Sequence, residues 1–142
     1  MSYLLDTNVI SEARKPAGDE RVRAWFESVS GSDLFLSVLV VGEIRQGIER
    51  LRRRDSGQAA VHEQWLSLLR RDYGDRILPV SIQIADEWGR LNSPDPLPVV
   101  DGLLAATAIV TGLTLVTRNT DQVARTGALL LNPFSPQGPA PQ

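Results

Sequence analysis

A three-layer α/β/α fold around a central, mostly parallel sheet of four to five strands is predicted by three features of this chain. Short apolar runs alternate with longer segments whose apolar residues recur at helical spacing. Strands that alternate with helices in this way build a parallel sheet with helices packed on it. Acidic residues recur where a run predicted as a strand has ended or a helix begins, as in YLLDTN near the N-terminus.

The elements follow in order. Tyr3–Leu5 reads as a short buried strand, and Asp6 suits the cap of a short helix starting near Thr7. From Asp19 to Val29 the residues Val22, Trp25, Phe26 and Val29 have helical spacing. Leu34–Ser37 is a second strand. From Val40, the positions Val41, Ile44, Ile48 and Leu51 give an amphipathic helix with arginines on its outer side. A further helix spans Ala59–Asp72 and stops at Tyr73-Gly74. Arg76–Val80 is a third strand, confined by Pro79 to an edge or an end. Ile82–Leu91 is helical, and residues 92–98, with three prolines, form a loop. The segment VVDGLLAATAIVTG is apolar nearly all round, as a buried helix is, and Gly112 closes it. Leu113–Thr117 is a fourth strand and Leu129–Leu131 a fifth. One domain is expected over residues 1–133, followed by a Pro-rich, flexible tail at 134–142.

Composition narrows the function. A chain of 142 residues has enough apolar content for one ordinary core. It has no cysteine, which excludes disulfides and thiolate metal sites and suits a reducing cytosol. The N-terminus has no basic region before an apolar stretch, and an acid arrives at position 6, unlike a secretory signal. The apolar run Val38–Val41 is far shorter than the roughly 20 residues that span a bilayer. A soluble, cytoplasmic protein is expected. The net charge of -2 argues against a broadly basic nucleic-acid coat. Positive charge is nonetheless patchy, with Arg45, Arg50, Arg52, Arg53 and Arg54 clustered and Arg70 and Arg71 further on. A solvated helix face explains such a pattern by itself.

The acids have structural explanations when taken singly. Asp6 suits a helix cap, and Glu43, placed in the first turn of its helix, suits the macrodipole. A reciprocal capping box for Glu43 is absent because Val40 stands where Ser or Thr is needed. Turn chemistry accounts for Asn119 and Asp121. Asp101 is harder to explain, since a lone carboxylate at the start of a buried helix costs several kcal/mol unless it is paired or binds a cation. Together these acids converge on one rim of a parallel sheet, where ligands bind. Carboxylates gathered there repel one another unless a divalent cation neutralises them. Hard oxygen donors without Cys or His favour Mg²⁺ or Mn²⁺. His62, the only histidine, falls mid-helix and is expected at the surface.

The stretches LLDTNVISE, LSVLVVGEIRQGIERL and PLPVVDGLLAATAIVTGLTLVTRNT, in this order, resemble the PIN-domain ribonucleases of VapC type. These are toxin halves of bacterial toxin–antitoxin pairs, and the likeness is greatest to the FitB-like branch. It runs from Tyr3 to about Pro133. The resemblance implies a PIN-like fold and a metal-dependent endoribonuclease, a hydrolase whose acidic cluster binds Mg²⁺ or Mn²⁺ and activates water against an RNA phosphodiester. Carried over by motif, the catalytic and metal-binding acids are Asp6, Glu43 and Asp101. The fourth position, an acid in many members, falls on Asn119, with Asp121 as an alternative ligand two residues on. Asn8 and Thr117 match the neighbouring polar positions. Arg45 and Arg118, beside Glu43 and Asn119, are candidate phosphate contacts or partners of the acids. The family also implies a small DNA-binding antitoxin as partner, and a homodimer.

Other readings remain at this stage. A haloacid-dehalogenase phosphatase needs a second Asp at position 8, which is Asn. That class and the receiver domains also want a late lysine, and Lys15 is the only lysine. A non-catalytic domain, or one acting on single-stranded DNA under a partner's control, stays open.

Overall fold

Strands β1 (Tyr3–Leu5), β2 (Leu34–Ser37), β3 (Ile77–Leu78), β4 (Thr114–Val116) and β5 (Leu130–Leu131) form one sheet in the order β3-β2-β1-β4-β5. The computed structural model describes residues 1–135. All four strand pairings are parallel, so the sheet is wholly rather than mostly parallel. Its helices are α1 (Thr7–Arg14), α2 (Glu20–Ser28), α3 (Val38–Arg52), α4 (Ser56–Tyr73), α5 (Ile82–Leu91), α6 (Val99–Thr111) and the four-residue α7 (Thr120–Val123). They make the outer layers of the expected α/β/α sandwich.

Burial on both faces explains the uniformly apolar central strands. Leu4, Leu5, Leu36, Leu115 and Val116 are all sealed in the core. The helices pair along their apolar stripes, α3 with α4 and α5 with α6. Gly102 permits the second pairing, because a Cβ there would meet the Trp88 ring at 3.2 Å and Leu97 Cβ at 3.3 Å. Gly112 ends α6 with φ 75°, a left-handed cap that glycine adopts freely.

The strand order creates the site. From β1 the chain steps outward to β2 and β3, then returns across the sheet to β4 on the other side of β1. The gap beyond the carboxyl ends of β1 and β4 is therefore the topological switch point, where open α/β sheets bind ligands.

Several boundaries differ from the sequence reading by a residue or a few, and three of the differences have a clear physical reason. The third strand shrinks to two residues, since Arg76 belongs to a 3₁₀ turn and Pro79 has no N–H for the ladder. α3 begins at Val38 rather than Val40, because Ser37 caps it by accepting a hydrogen bond from Leu39 N at 3.1 Å. Glu43 consequently lies in the second turn of α3, and the macrodipole explanation offered for it loses most of its force, as that effect falls off beyond the first turn. Phe134, assigned to the tail, is buried, with the Arg118 guanidinium 3.7 Å from its ring centroid. Residues 136–142 of that tail lie outside the described residues.

Ser37 thus ends β2 and starts α3. Ser37→Ala should lower the unfolding free energy by about 1 kcal/mol, the usual value of a serine N-cap. Urea denaturation followed by circular dichroism measures it.

Candidate active site

Asp6 leaves β1 with only 5% of its surface exposed. Its backbone N–H continues the ladder to Val116 O at 2.9 Å, which fixes the residue beside the end of β4. Its carboxylate is held from two sides. Thr7 N donates to Oδ1 at 2.7 Å, making Asp6 the cap of α1. Thr117 Oγ1, 2% exposed at residue level, donates to Oδ2 at 2.7 Å across the switch point. The cap and the site are the same side chain, so the two explanations of Asp6 do not compete.

Thr7 extends the chain of contacts. Its hydroxyl donates to Glu43 Oε1 at 2.6 Å, linking the start of α1 to α3. Thr117 Oγ1 also accepts from Asn119 N at 3.0 Å. One hydrogen-bonded path therefore runs from Asn119 through Thr117, Asp6 and Thr7 to Glu43. Thr7 was not singled out from sequence. Its position between Asp6 and Asn8 was the only available signal.

Asp101 sits in the first turn of α6, as expected, and is half-buried. Burial raises its carboxyl pKa above the ordinary aspartate value, and the charges of Asp6 and Glu43 raise it further. The three acids thus face a common space. Among the described residues, none of the three joins an ion pair, and the Asp101 carboxylate accepts no hydrogen bond. Nor do three such side chains close into a formed metal-ligand cluster there. Asp6 and Glu43 instead turn toward their threonine donors.

The donor set fits a hard divalent cation. Every candidate is an oxygen, and Asp101 is a carboxylate without a partner in a half-buried place. Asn8 supplies a second sign, for its Oδ1 is buried with no hydrogen-bond partner. At the fourth position, Asn119 precedes α7 without a side-chain cap bond, so turn chemistry does not occupy its amide. Asp121 is exposed, in the first turn of α7.

Arg45 and Arg118, candidate phosphate contacts or partners of the acids, both make structural contacts away from the three acids. Arg45 pairs with Glu63 of α4 and, at 3.2 Å, with Glu49. Arg118 covers Phe134. His62, expected at the surface, is half-buried on α4, and burial lowers its pKa.

The raised pKa of Asp101 predicts a pH signature. A carboxyl that holds its proton more tightly when folded costs the protein nothing below the unfolded value. Its charge then destabilises the fold increasingly as pH rises through the folded value. In metal-free buffer, Asp101→Asn should therefore melt at or above the wild-type temperature at pH 7.5. That difference should vanish below pH 3.8, the ordinary value. Thermal melts over a pH series measure it.

Comparison with known proteins identifies the family. The PIN domain family model matches residues 3–129. Toxin FitB of Neisseria gonorrhoeae is 33% identical over 136 residues, covering 92% of this chain and 97% of that protein. VapC ribonuclease Y4jK of Sinorhizobium fredii is 31% identical over 141 residues, covering 94% and 98%. A solved structure of FitAB bound to the IR36 DNA fragment superposes with a TM-score of 0.87 at 32% identity, covering 96% of this chain and 98% of that one. The chain belongs to the PIN domain family.

Proposed function

We propose that this protein is a metal-dependent endoribonuclease that acts as the toxin of a toxin–antitoxin pair. The observation that carries the reading is the unpartnered Asp101 carboxylate, which shares the switch-point rim with Asp6 and Glu43. Relatives named as a toxin and as a VapC ribonuclease give the substrate class. The resemblance to such toxins also supports a small DNA-binding antitoxin, a homodimer and a cytoplasmic setting. Among the described residues no helix is long and apolar enough to cross a membrane.

Asp6, Glu43 and Asp101 would hold Mg²⁺ or Mn²⁺, with Asn119 as a neutral fourth oxygen. A bound divalent ion supplies an acidified water and charge stabilisation on the phosphoryl oxygens. The chain itself contributes position. Thr117 and Thr7 orient the Asp6 and Glu43 carboxylates, as the partners of metal ligands commonly do. The low exposure of Asp6 limits competing water. The hydrogen-bonded path between the carboxylates keeps their spacing as substrate enters, which is most of what in-line attack requires of the protein.

Cleavage of RNA should vanish in EDTA and return with excess Mg²⁺. Asp6→Asn and Asp101→Asn should abolish it while circular dichroism stays native. Near wild-type rates in either variant, or full activity in the chelator, exclude the assignment. Thr117→Val should weaken metal binding or activity by about 10–100-fold, the usual cost of losing such a partner. By calorimetry, Asn119→Asp should tighten Mn²⁺ binding, and Asp121→Asn should cost much less than Asp101→Asn. Expression alone should arrest growth, with relief by the cognate antitoxin.

A further inference from the structure

A groove of about 530 Å³ opens directly from the acidic site, for Thr7 and Glu43 belong to its wall. It runs between α1, α3 and α4, and its charge is opposite to that of the molecule. Arg14, Lys15 and Arg54 line it, while the whole chain carries -2. Among the described residues neither Arg14 nor Arg54 makes an ion pair. Lys15 is held only by an exposed pair with Glu12 at 3.3 Å, a type of contact that contributes little. By contrast, Arg45 and Arg52 are joined to Glu49 and Glu63.

The groove also has an aromatic element. The Arg14 guanidinium lies 4.5 Å from the centroid of the Trp65 ring, and both side chains line the groove. Stacked guanidinium and indole planes accept the flat face of a nucleobase. His62 lies on the same wall, with its pKa lowered by burial and by the charge of Arg14. Ile44 and Ile48 close the groove beneath with apolar surface.

We propose that this groove seats single-stranded RNA on one side of the scissile phosphate, with Arg14 and Trp65 forming a base-stacking shelf and Arg54 and Lys15 meeting phosphates. The inference rests on the nuclease reading and adds a strand path to it. The wall shared with Glu43 puts the next nucleotide where a substrate held at the acids must continue. A base can reach the shelf only when it is unstacked, so a paired helix is excluded. An apolar floor alone would suit a protein segment equally well, but unpaired arginines at a guanidinium–indole stack favour a polyanion with aromatic bases.

The test uses the full chain carrying Asp101→Asn, which should bind without cutting, and a labelled, unstructured RNA oligomer read by anisotropy across a salt series. Arg54→Gln should reduce the slope of log affinity against log salt by about 0.7, one phosphate contact on a single strand. Arg14→Gln and Trp65→Phe should each weaken binding, the former by about tenfold, within the range for loss of one stacked base. RNA should quench tryptophan emission, and Trp65→Phe should remove that quench although Trp25 and Trp88 remain. Arg50→Gln, outside the groove, should bind as its parent does. If the wild-type protein cuts RNA but the groove variants bind like their parent, the strand path is wrong, the nuclease reading stands, and the groove belongs to a protein segment. An equal loss in Arg50→Gln also overturns the strand path, leaving only diffuse charge. A wild-type protein that neither binds nor cuts RNA overturns both readings.

Discussion

The hydrogen bond from Thr117 to Asp6 is the constraint on which the rest of the site depends. It joins the ends of β4 and β1 at the one place where the parallel sheet changes winding direction. Asp6 then caps α1, α1 places Thr7, and Thr7 turns Glu43 inward from α3. The Asp6 carboxylate is buried among neutral donors and has no cation beside it in an ion pair. Two more acids face the same space. The energetically comfortable arrangement for hydrocarbon packing would have been apolar or amide side chains at these positions. The rim is instead built with uncompensated negative charge, and this strain against pure stability is what separates a site from a sheet end.

Much of this was legible in the sequence, for identifiable reasons. Fully buried parallel strands must be apolar throughout, so β1, β2 and β4 stand out as runs, and the acids after β1 and at the start of α6 stand out against them. Helix starts were harder. Ser37 is both the last residue of β2 and the cap of α3, and the all-apolar stretch Val38–Val41 after it hides where one period gives way to another. Side-chain partners were not legible. Arg45 sits next to Glu43 in sequence register yet points to Glu63 on a neighbouring helix. Arg118 finds Phe134 in a segment that looked like a loose tail. Thr7 went unnoticed because a threonine hydroxyl has no pattern of its own until α3 is placed beside α1. The groove has the same origin, since three helices must be positioned before it exists.

The arginines of the α3 region divide along this line. Arg45 and Arg52 link α3 to α4 through Glu49 and Glu63, an exposed network whose individual bonds contribute modestly. This network aligns the two helices whose facing sides carry Glu43 and Trp65. Gln58, His62 and Trp65 recur along one face of α4, so its register against α3 decides what the groove presents.

The central place of β1 has a consequence for the order in which the molecule comes into being. β1 is made first, yet its neighbour β4 is made late, and the Thr117–Asp6 contact spans 111 positions of the chain. Emerging from the ribosome, the polypeptide can pair β1 with β2 early, but the switch point stays open until β4 has been made. Asp101 and Thr117 follow Asp6 and Glu43 by more than fifty residues. Contacts of such separation also form slowly, because the loop between them must close first. A nascent or prematurely terminated chain therefore carries Asp6 and Glu43 without the rest of the constellation.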